Sequence, residues 1–323
     1  MSDINWRLTE LGQLSLLLEA SAPKPGNVNR SARFSDTEYR HFLASASMMS
    51  RGLHMCASKG VRIGKSKLAP EEAGLGALIE TCVSESLSGL NKRNTILGSI
   101  LLYVPLTVAI AASLVEDRHF STGNVRSWLQ RIIQGTTVED TAGLYRAFAR
   151  STPGGRKIKE DSQWSDIHRR YDFDNPAAID NVMKDDLKLA ELFSLSSDID
   201  EISREWASNF ELILGEVYPF IAEISQSLDD LEEAIVRSFI WLLSKRPDGL
   251  IVKKAGRARA EEIRRLAEKT VENWSDVCEP VELIVRLDDT LREEGNLLNP
   301  GTTADIISAA VFCRLVGLAY PEF

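Results

Sequence analysis

From Ile96 to Val115 the chain runs for about twenty residues without a charge, the length a helix needs to cross a bilayer. A helix that is apolar on every side must be surrounded, either by lipid or by the interior of a large protein. Lys92 and Arg93 precede the stretch, and Glu116 and Asp117 follow it. Within it stand Ser99, Pro105, Thr107, Ser113 and several alanines, and the remaining sequence offers amphipathic segments rather than partner spans. The stretch is therefore expected to be the buried central helix of a globular protein, with no membrane role. The rest of the chain must then be built to cover it.

Helical periodicity supports that reading. Leu8, Leu11, Leu14, Leu17 and Leu18 recur at three- and four-residue spacings before Pro23 and Pro25 stop the pattern. The same spacing predicts helices over Glu38–Ser58 and Glu71–Ser88, the latter closed by Gly89, and over Asn124–Gln134 and Val138–Arg150. Further helices are expected over Ala177–Phe193, Ile199–Ser225, Leu228–Ser244, Arg257–Asn273, Pro280–Glu294 and Thr303–Val316. Pro105 marks a candidate kink in the central helix. Alternating β-branched and aromatic runs bounded by turns are nearly absent. The expected fold is all-α, a single multi-helix domain spanning residues 1–323. Residues 152–175 form the one long irregular segment, mixing Gly154 and Gly155 with Arg156, Lys157, Trp164, Arg169, Arg170, Tyr171 and Phe173. Such a loop suits either a solvated surface or a basic, aromatic lid over a nucleotide.

Composition narrows the function classes. A chain of 323 residues with net charge −9 is a poor general binder of nucleic acid or of an anionic membrane. An anionic substrate would have to be met by local cations and helix amino ends. Cys56, Cys82, Cys278 and Cys313 are widely spaced and form no CxxC pair. They fit no common zinc pattern and no disulfide framework, so a reducing cytoplasm is expected. The opening Met1-Ser2-Asp3-Ile4-Asn5-Trp6 lacks the features of a signal peptide. The four histidines form no HExxH or metal triad, and GxSxG, Walker A and GxGxxG patterns are missing.

Three glycine turns remain. Asn299-Pro300-Gly301-Thr302-Thr303-Ala304-Asp305 runs straight into an apolar helix, whose first N–H groups and positive dipole end suit a phosphate. Thr302 and Asp305 also fit an ordinary capping box. Lys24-Pro25-Gly26-Asn27 and Asn94-Thr95-Ile96-Leu97-Gly98 are the other two. Asp248-Gly249-Leu250-Ile251-Val252-Lys253-Lys254-Ala255-Gly256 sets a carboxylate beside two lysines, a combination that suits either Mg²⁺ and phosphate or a plain helix junction. Asp200 and Glu205 are five apart in one helix pattern, so they point in different directions and read first as structural acids.

Taken in order, these segments resemble the triphosphoribosyl-dephospho-CoA synthase family, which makes the prosthetic-group precursor of citrate lyase and malonate decarboxylase. Lys24 to Val28 resembles its KPG(L/N)V motif, Gly74-Leu75-Gly76 its glycine-containing helix start, and Asn94 to Gly98 its NTxxG motif. Asp200 to Trp206 is similar to (R/Y)DxIAxE(Y/W), Asp248 to Gly256 to D(T/S)LIxRKxG, and Asn299 to Asp305 to NPG(G/T)(S/T)AD. The register holds from about residue 10 to 318. Asn27 and Asn29 stand where the citrate-lyase enzymes usually carry Leu and Asp, a version similar to the archaeal and environmental branch. Lys253-Lys254 replaces the Arg-Lys pair, which keeps charge but loses the bidentate fork of arginine.

The resemblance implies an all-α enzyme that takes ATP and 3′-dephospho-CoA, expels adenine and joins the 5-triphosphoribosyl unit to the acceptor. It implies that Lys24, Lys253, Lys254 and the helix start at Thr302 hold the triphosphate, with Gly26, Gly98 and Gly301 shaping the turns. It implies Mg²⁺ on Asp248 and Asp305. Asn27, Asn94, Thr95 and Asn299 would orient ribose hydroxyls or phosphate oxygens. Asp200, Glu205 and Asp248 are the carboxylates for the reacting centre, either to stabilise positive charge at the anomeric carbon or to accept the attacking hydroxyl's proton. Two other readings stay open: the same donor with a different alcohol acceptor in cofactor biosynthesis, and a helical nucleotide-binding homologue without turnover. A homo-oligomer is compatible with this sequence, which does not fix the oligomeric state.

Overall fold

The computed structural model describes residues 3–88, 95–151, 165–274 and 279–322. In chain order the helices are α1 (Ile4–Ser21), α2 (Tyr39–Met48), α3 (Ser50–Gly64), α4 (Leu75–Ser86), α5 (Leu97–Asp117), α6 (Thr122–Gln134), α7 (Val138–Ser151), α8 (Asp166–Arg170) and α9 (Ala178–Lys184). They continue with α10 (Leu189–Leu195), α11 (Glu201–Ala207), α12 (Tyr218–Leu228), α13 (Leu231–Lys245), α14 (Gly249–Ala255), α15 (Arg257–Glu272), α16 (Glu279–Arg292) and α17 (Gly301–Ala319). A 3₁₀ turn at Pro70–Glu72 and a π-helical turn at Ile213–Val217 complete the set, and no strand occurs among the described residues.

The uncharged stretch forms α5, buried from Leu97 almost without interruption to Leu114. It packs against α3, α6, α17 and α4, and α1 closes over α3 and α17. Gly60 makes the α3 contact close, since a Cβ there would lie 2.2 Å from the Val108 carbonyl oxygen. Both α5 and α17 are long and apolar enough to cross a membrane, and both are mostly enclosed by their neighbours. One hydrophobic core runs through all these helices.

Pro105 sits inside α5 and has no N–H to offer the carbonyl of Leu101 four residues earlier. The indole N–H of the buried Trp206 donates to that Leu101 oxygen at 3.0 Å. The proline thus creates the acceptor that fixes α11 on α5, meeting the requirement that a buried carbonyl find a donor.

Three long periodic segments are broken where one helix was expected. Glu38–Ser58 divides at Met49 into α2 and α3. Ala177–Phe193 divides near Asp186, which adopts φ 50°. Ile199–Ser225 divides at Asn209 and Phe210, with φ 54° and 59°. There the fully buried Phe210 turns the chain, and the Glu205 carboxylate accepts the N–H groups of Leu212 and Ile213 at 3.1 and 2.9 Å to restart it.

Candidate active site

The sequence motifs gather at one end of the central helix. α5 and α17 both begin there, and α11 and α14 lie against α17. Asn27 donates through Nδ2 to Asn299 Oδ1 at 2.9 Å, tying the first glycine turn to the last. Arg292 donates to the Asn27 carbonyl at 2.7 Å, and the Gly26 N–H donates to Asp288 at 2.6 Å. Asn27 and Asn299 line a cavity of about 670 Å³.

Its polar wall carries Asn27, Thr95, Gly98, Asp200, Lys253, Lys254, Asn299, Gly301, Thr302 and Asp305. Of the residues expected from sequence, these are brought together. Asp200 caps α11 by accepting the Ser203 N–H at 2.7 Å, and its other oxygen meets the Lys253 ammonium. Lys254 donates to the Asn296 carbonyl at 2.9 Å. Thr95 pairs its hydroxyl with Ser45 at 2.9 Å. Asp305 accepts the Ser99 hydroxyl at 2.5 Å, and a Cβ on Gly98 would stand 2.0 Å from its second oxygen. Only a glycine leaves room for that carboxylate.

Four expected residues are placed elsewhere, and Asn94 lies outside the described residues. Lys24 is fully buried and its ammonium sits 3.0 Å from the Glu19 carboxylate, so it holds a neighbouring side chain rather than facing the cavity. Gly26 lies behind Asn27. Glu205 restarts the helix after Phe210. Asp248 is also fully buried: one oxygen accepts Leu250 and Ile251 N–H at 2.8 and 3.0 Å, and the other accepts the Thr303 N–H and hydroxyl at 2.7 and 2.8 Å. It caps α14 and α17 together, with both oxygens turned away from the cavity. Of the irregular segment, α8 and residues 171–174 form part of the cavity wall; residues 152–164 lie outside the described residues.

Sequence reading missed Glu19, Ser99 and Asn296, all on the cavity wall. Ser99 directly follows the NTxxG pattern and could have been found from it. Glu19 lies in an ordinary leucine-rich helix and gave no local signal.

Burial decides the electrostatics. It pushes the Asp305 carboxyl up to about 7, helped by the nearby Glu19 and Asp248 and opposed by Ser99. Burial also raises Glu19 and lowers Lys24, each opposed by the other's charge. For Asp200, burial works upward, but Lys253 and Ser203 outweigh it and hold the carboxyl below its ordinary range. Lys253 is correspondingly raised by Asp200 against its burial, whereas burial takes Lys254 below the usual lysine range. Burial pushes Glu205 up to about 7 against its two backbone donors.

No group of three or more metal-type side chains occurs among the described residues. Glu19 and Asp305 are instead two carboxylates on the wall of a cavity that also holds lysines. Such a donor set suits Mg²⁺ arriving on substrate phosphates, which typically needs only one or two protein carboxylates.

The profile of the family described as ATP:dephospho-CoA triphosphoribosyl transferase matches residues 5–321. The chain belongs to that family. It is accordingly an enzyme of the triphosphoribosyl transferase class. Its fold is similar to the crystal structure of a candidate triphosphoribosyl-dephospho-CoA synthase from Archaeoglobus fulgidus, with TM-score 0.54 and 22% identity, covering 85% of this chain and 98% of that one. Comparison with curated proteins gives no match.

Proposed function

We propose that the protein moves the 5-triphosphoribosyl group of ATP to a hydroxyl of 3′-dephospho-CoA and releases adenine, as a cytoplasmic Mg²⁺-dependent enzyme. The observation that carries this reading is the convergence of two long helix starts, two lysines and the carboxylates of Glu19 and Asp305 on one cavity. Helix amino ends and ammonium groups bind phosphate oxygens, so the starts of α5 and α17 with Lys253 and Lys254 are assigned to the triphosphate. Lys253 would exchange part of its contact with Asp200 for phosphate.

The C1–N9 bond of the donor breaks as C1 joins the acceptor oxygen. Positive charge grows at C1, and a carboxylate beside it stabilises that charge. Asp305 is our assignment for this position. A carboxyl near pKa 7 is also matched to accepting the acceptor's proton. Mg²⁺, when bound with the triphosphate, would neutralise its charge, with Glu19 as the cavity-wall carboxylate to hold it. Asn27 and Asn299, linked to each other, would orient hydroxyl groups.

Asn27 on the cavity wall also supports a second reading, in which the same donor serves another alcohol acceptor. Mass spectrometry of the protein with Mg-ATP, with and without 3′-dephospho-CoA, tests both. Adenine together with a triphosphoribosyl adduct of dephospho-CoA is the expected result. ATP binding without that adduct would overturn the acceptor assignment, and no ATP binding would overturn the whole proposal.

A further inference from the structure

The cavity has a second wall of different chemistry that the transfer scheme above leaves without a role. Phe148 on α7 and Phe173, just beyond α8, lie face to face with centroids 3.8 Å apart and planes 7° from parallel. Tyr145 packs on Phe173 at 4.5 Å and donates its hydroxyl to the Tyr171 carbonyl at 2.5 Å, fixing the segment that carries Phe173. Phe193 on α10 stacks on Trp206 at 4.3 Å. Phe148, Phe173 and Phe193 all border the cavity, with Leu144 and Leu192 between them. Its aromatic side chains come from α7, the segment just beyond α8 and α10, whereas the polar wall comes from the starts of α5, α11 and α17, from α14 and from the first glycine turn. α7 packs on α4, α9 and α10, and α17 on α1, α5 and α14.

We propose that the aromatic wall is the purine subsite of the donor, with the base lying against Phe148 while the triphosphate reaches the polar wall. The inference rests on the function proposed above and assigns its leaving group a place. One molecule with a flat apolar head and a polyanionic tail matches both walls of one cavity. Phe148 and Phe173 already cover one face of each other and Tyr145 packs on Phe173, so the base meets the outer side of Phe148, where it stacks in any orientation because every base has a π-face. The C1 atom between head and tail then falls between the two walls, on the side of Asp200 and Asp305.

Adenosine and inorganic tripolyphosphate separate the two walls when each is titrated calorimetrically against the full-length protein. Phe148→Ala should weaken adenosine binding by roughly tenfold or more, the usual loss for a removed stacking partner, and leave tripolyphosphate binding unchanged. Lys253→Ala should do the reverse. Phe148→Leu keeps bulk and apolarity and is the check if the alanine variant fails to fold; it should also weaken adenosine. Unchanged adenosine affinity in the folded variants would overturn the assignment, even if ATP still reacts. A variant that needs more dephospho-CoA to saturate turnover, with ATP saturation unaltered, would overturn it too, because the wall would then serve the acceptor's base. Failure of the wild-type protein to bind either probe would instead strike the underlying function.

Discussion

Asp248→Asn separates a structural role for this carboxylate from a metal-binding one. The asparagine oxygen can still accept from Leu250 and Ile251, so α14 keeps its cap. Its amide nitrogen must then face the Thr303 N–H and hydroxyl, which now approach Asp248 at 2.7 and 2.8 Å. The hydroxyl can turn and accept, but the backbone N–H cannot, and Thr303 is buried. A hydrogen bond to a charged group contributes about 1.5–3 kcal/mol, and an orphaned buried donor adds a similar penalty. Against this, the variant no longer holds a buried charge, whose cost is visible in the upward push that burial gives the Asp248 carboxyl. The net loss should be about 3 kcal/mol. With an unfolding entropy of about 2.1 cal/mol/K per residue, a chain of this size should lose about 4 °C in Tm. Differential scanning calorimetry measures it, and turnover below the transition should persist. An unchanged Tm with turnover abolished would refute the double-cap reasoning and return Asp248 to the metal site.

Two other outcomes follow from the geometry around Asp305. Gly98→Ala puts a methyl group 2.0 Å from the Asp305 carboxylate, so turnover should collapse by about a hundredfold or more while far-ultraviolet circular dichroism stays native; retained activity would remove Asp305 from the reacting centre. Because the folded-state pKa of Asp305 is raised to about 7, the native protein holds its proton where the unfolded chain has lost it, and stability falls as pH rises from about 4 to 7. Asp305→Asn should therefore melt above the wild type at pH 8, with an advantage that shrinks below pH 7 and is gone by about pH 4, and it should abolish an acid limb near pH 7 in kcat/KM. A pH-independent difference in Tm would contradict the assignment.

Much of the site could be read along the chain because its members lie at helix starts. Gly301, Thr302 and Asp305 are recognisable from a turn running into an apolar helix, and α17 carries them as expected. Asp200 also stood at a recognisable start, although the five-residue offset from Glu205 said only that the two diverge. Where they diverge to was settled by Trp206: its indole is drawn to the carbonyl that Pro105 leaves open, which turns Asp200 toward Lys253 and Glu205 toward Leu212. The breaks at Met49, Asp186 and Asn209 were hidden because apolar spacing continues through them.

The sequence by itself determined the all-α class, the buried central helix and the order of the glycine turns. Each is a local property, set by periodicity, by the lack of charge over one long stretch, and by turn chemistry. Tertiary structure alone decided which side chain of each turn faces the cavity. Lys24 and Asp248 looked like phosphate and metal ligands, yet both are turned inward by partners that local spacing does not disclose, Glu19 in one case and Thr303 in the other. Of the aromatic wall, sequence offered Phe173 as part of a basic, aromatic segment, but Phe148 and Phe193 gave no signal, since they join it only when the distant segments pack. A polar group leaving water takes the nearest partner in space, and that partner is fixed by the packing of helices distant in the chain.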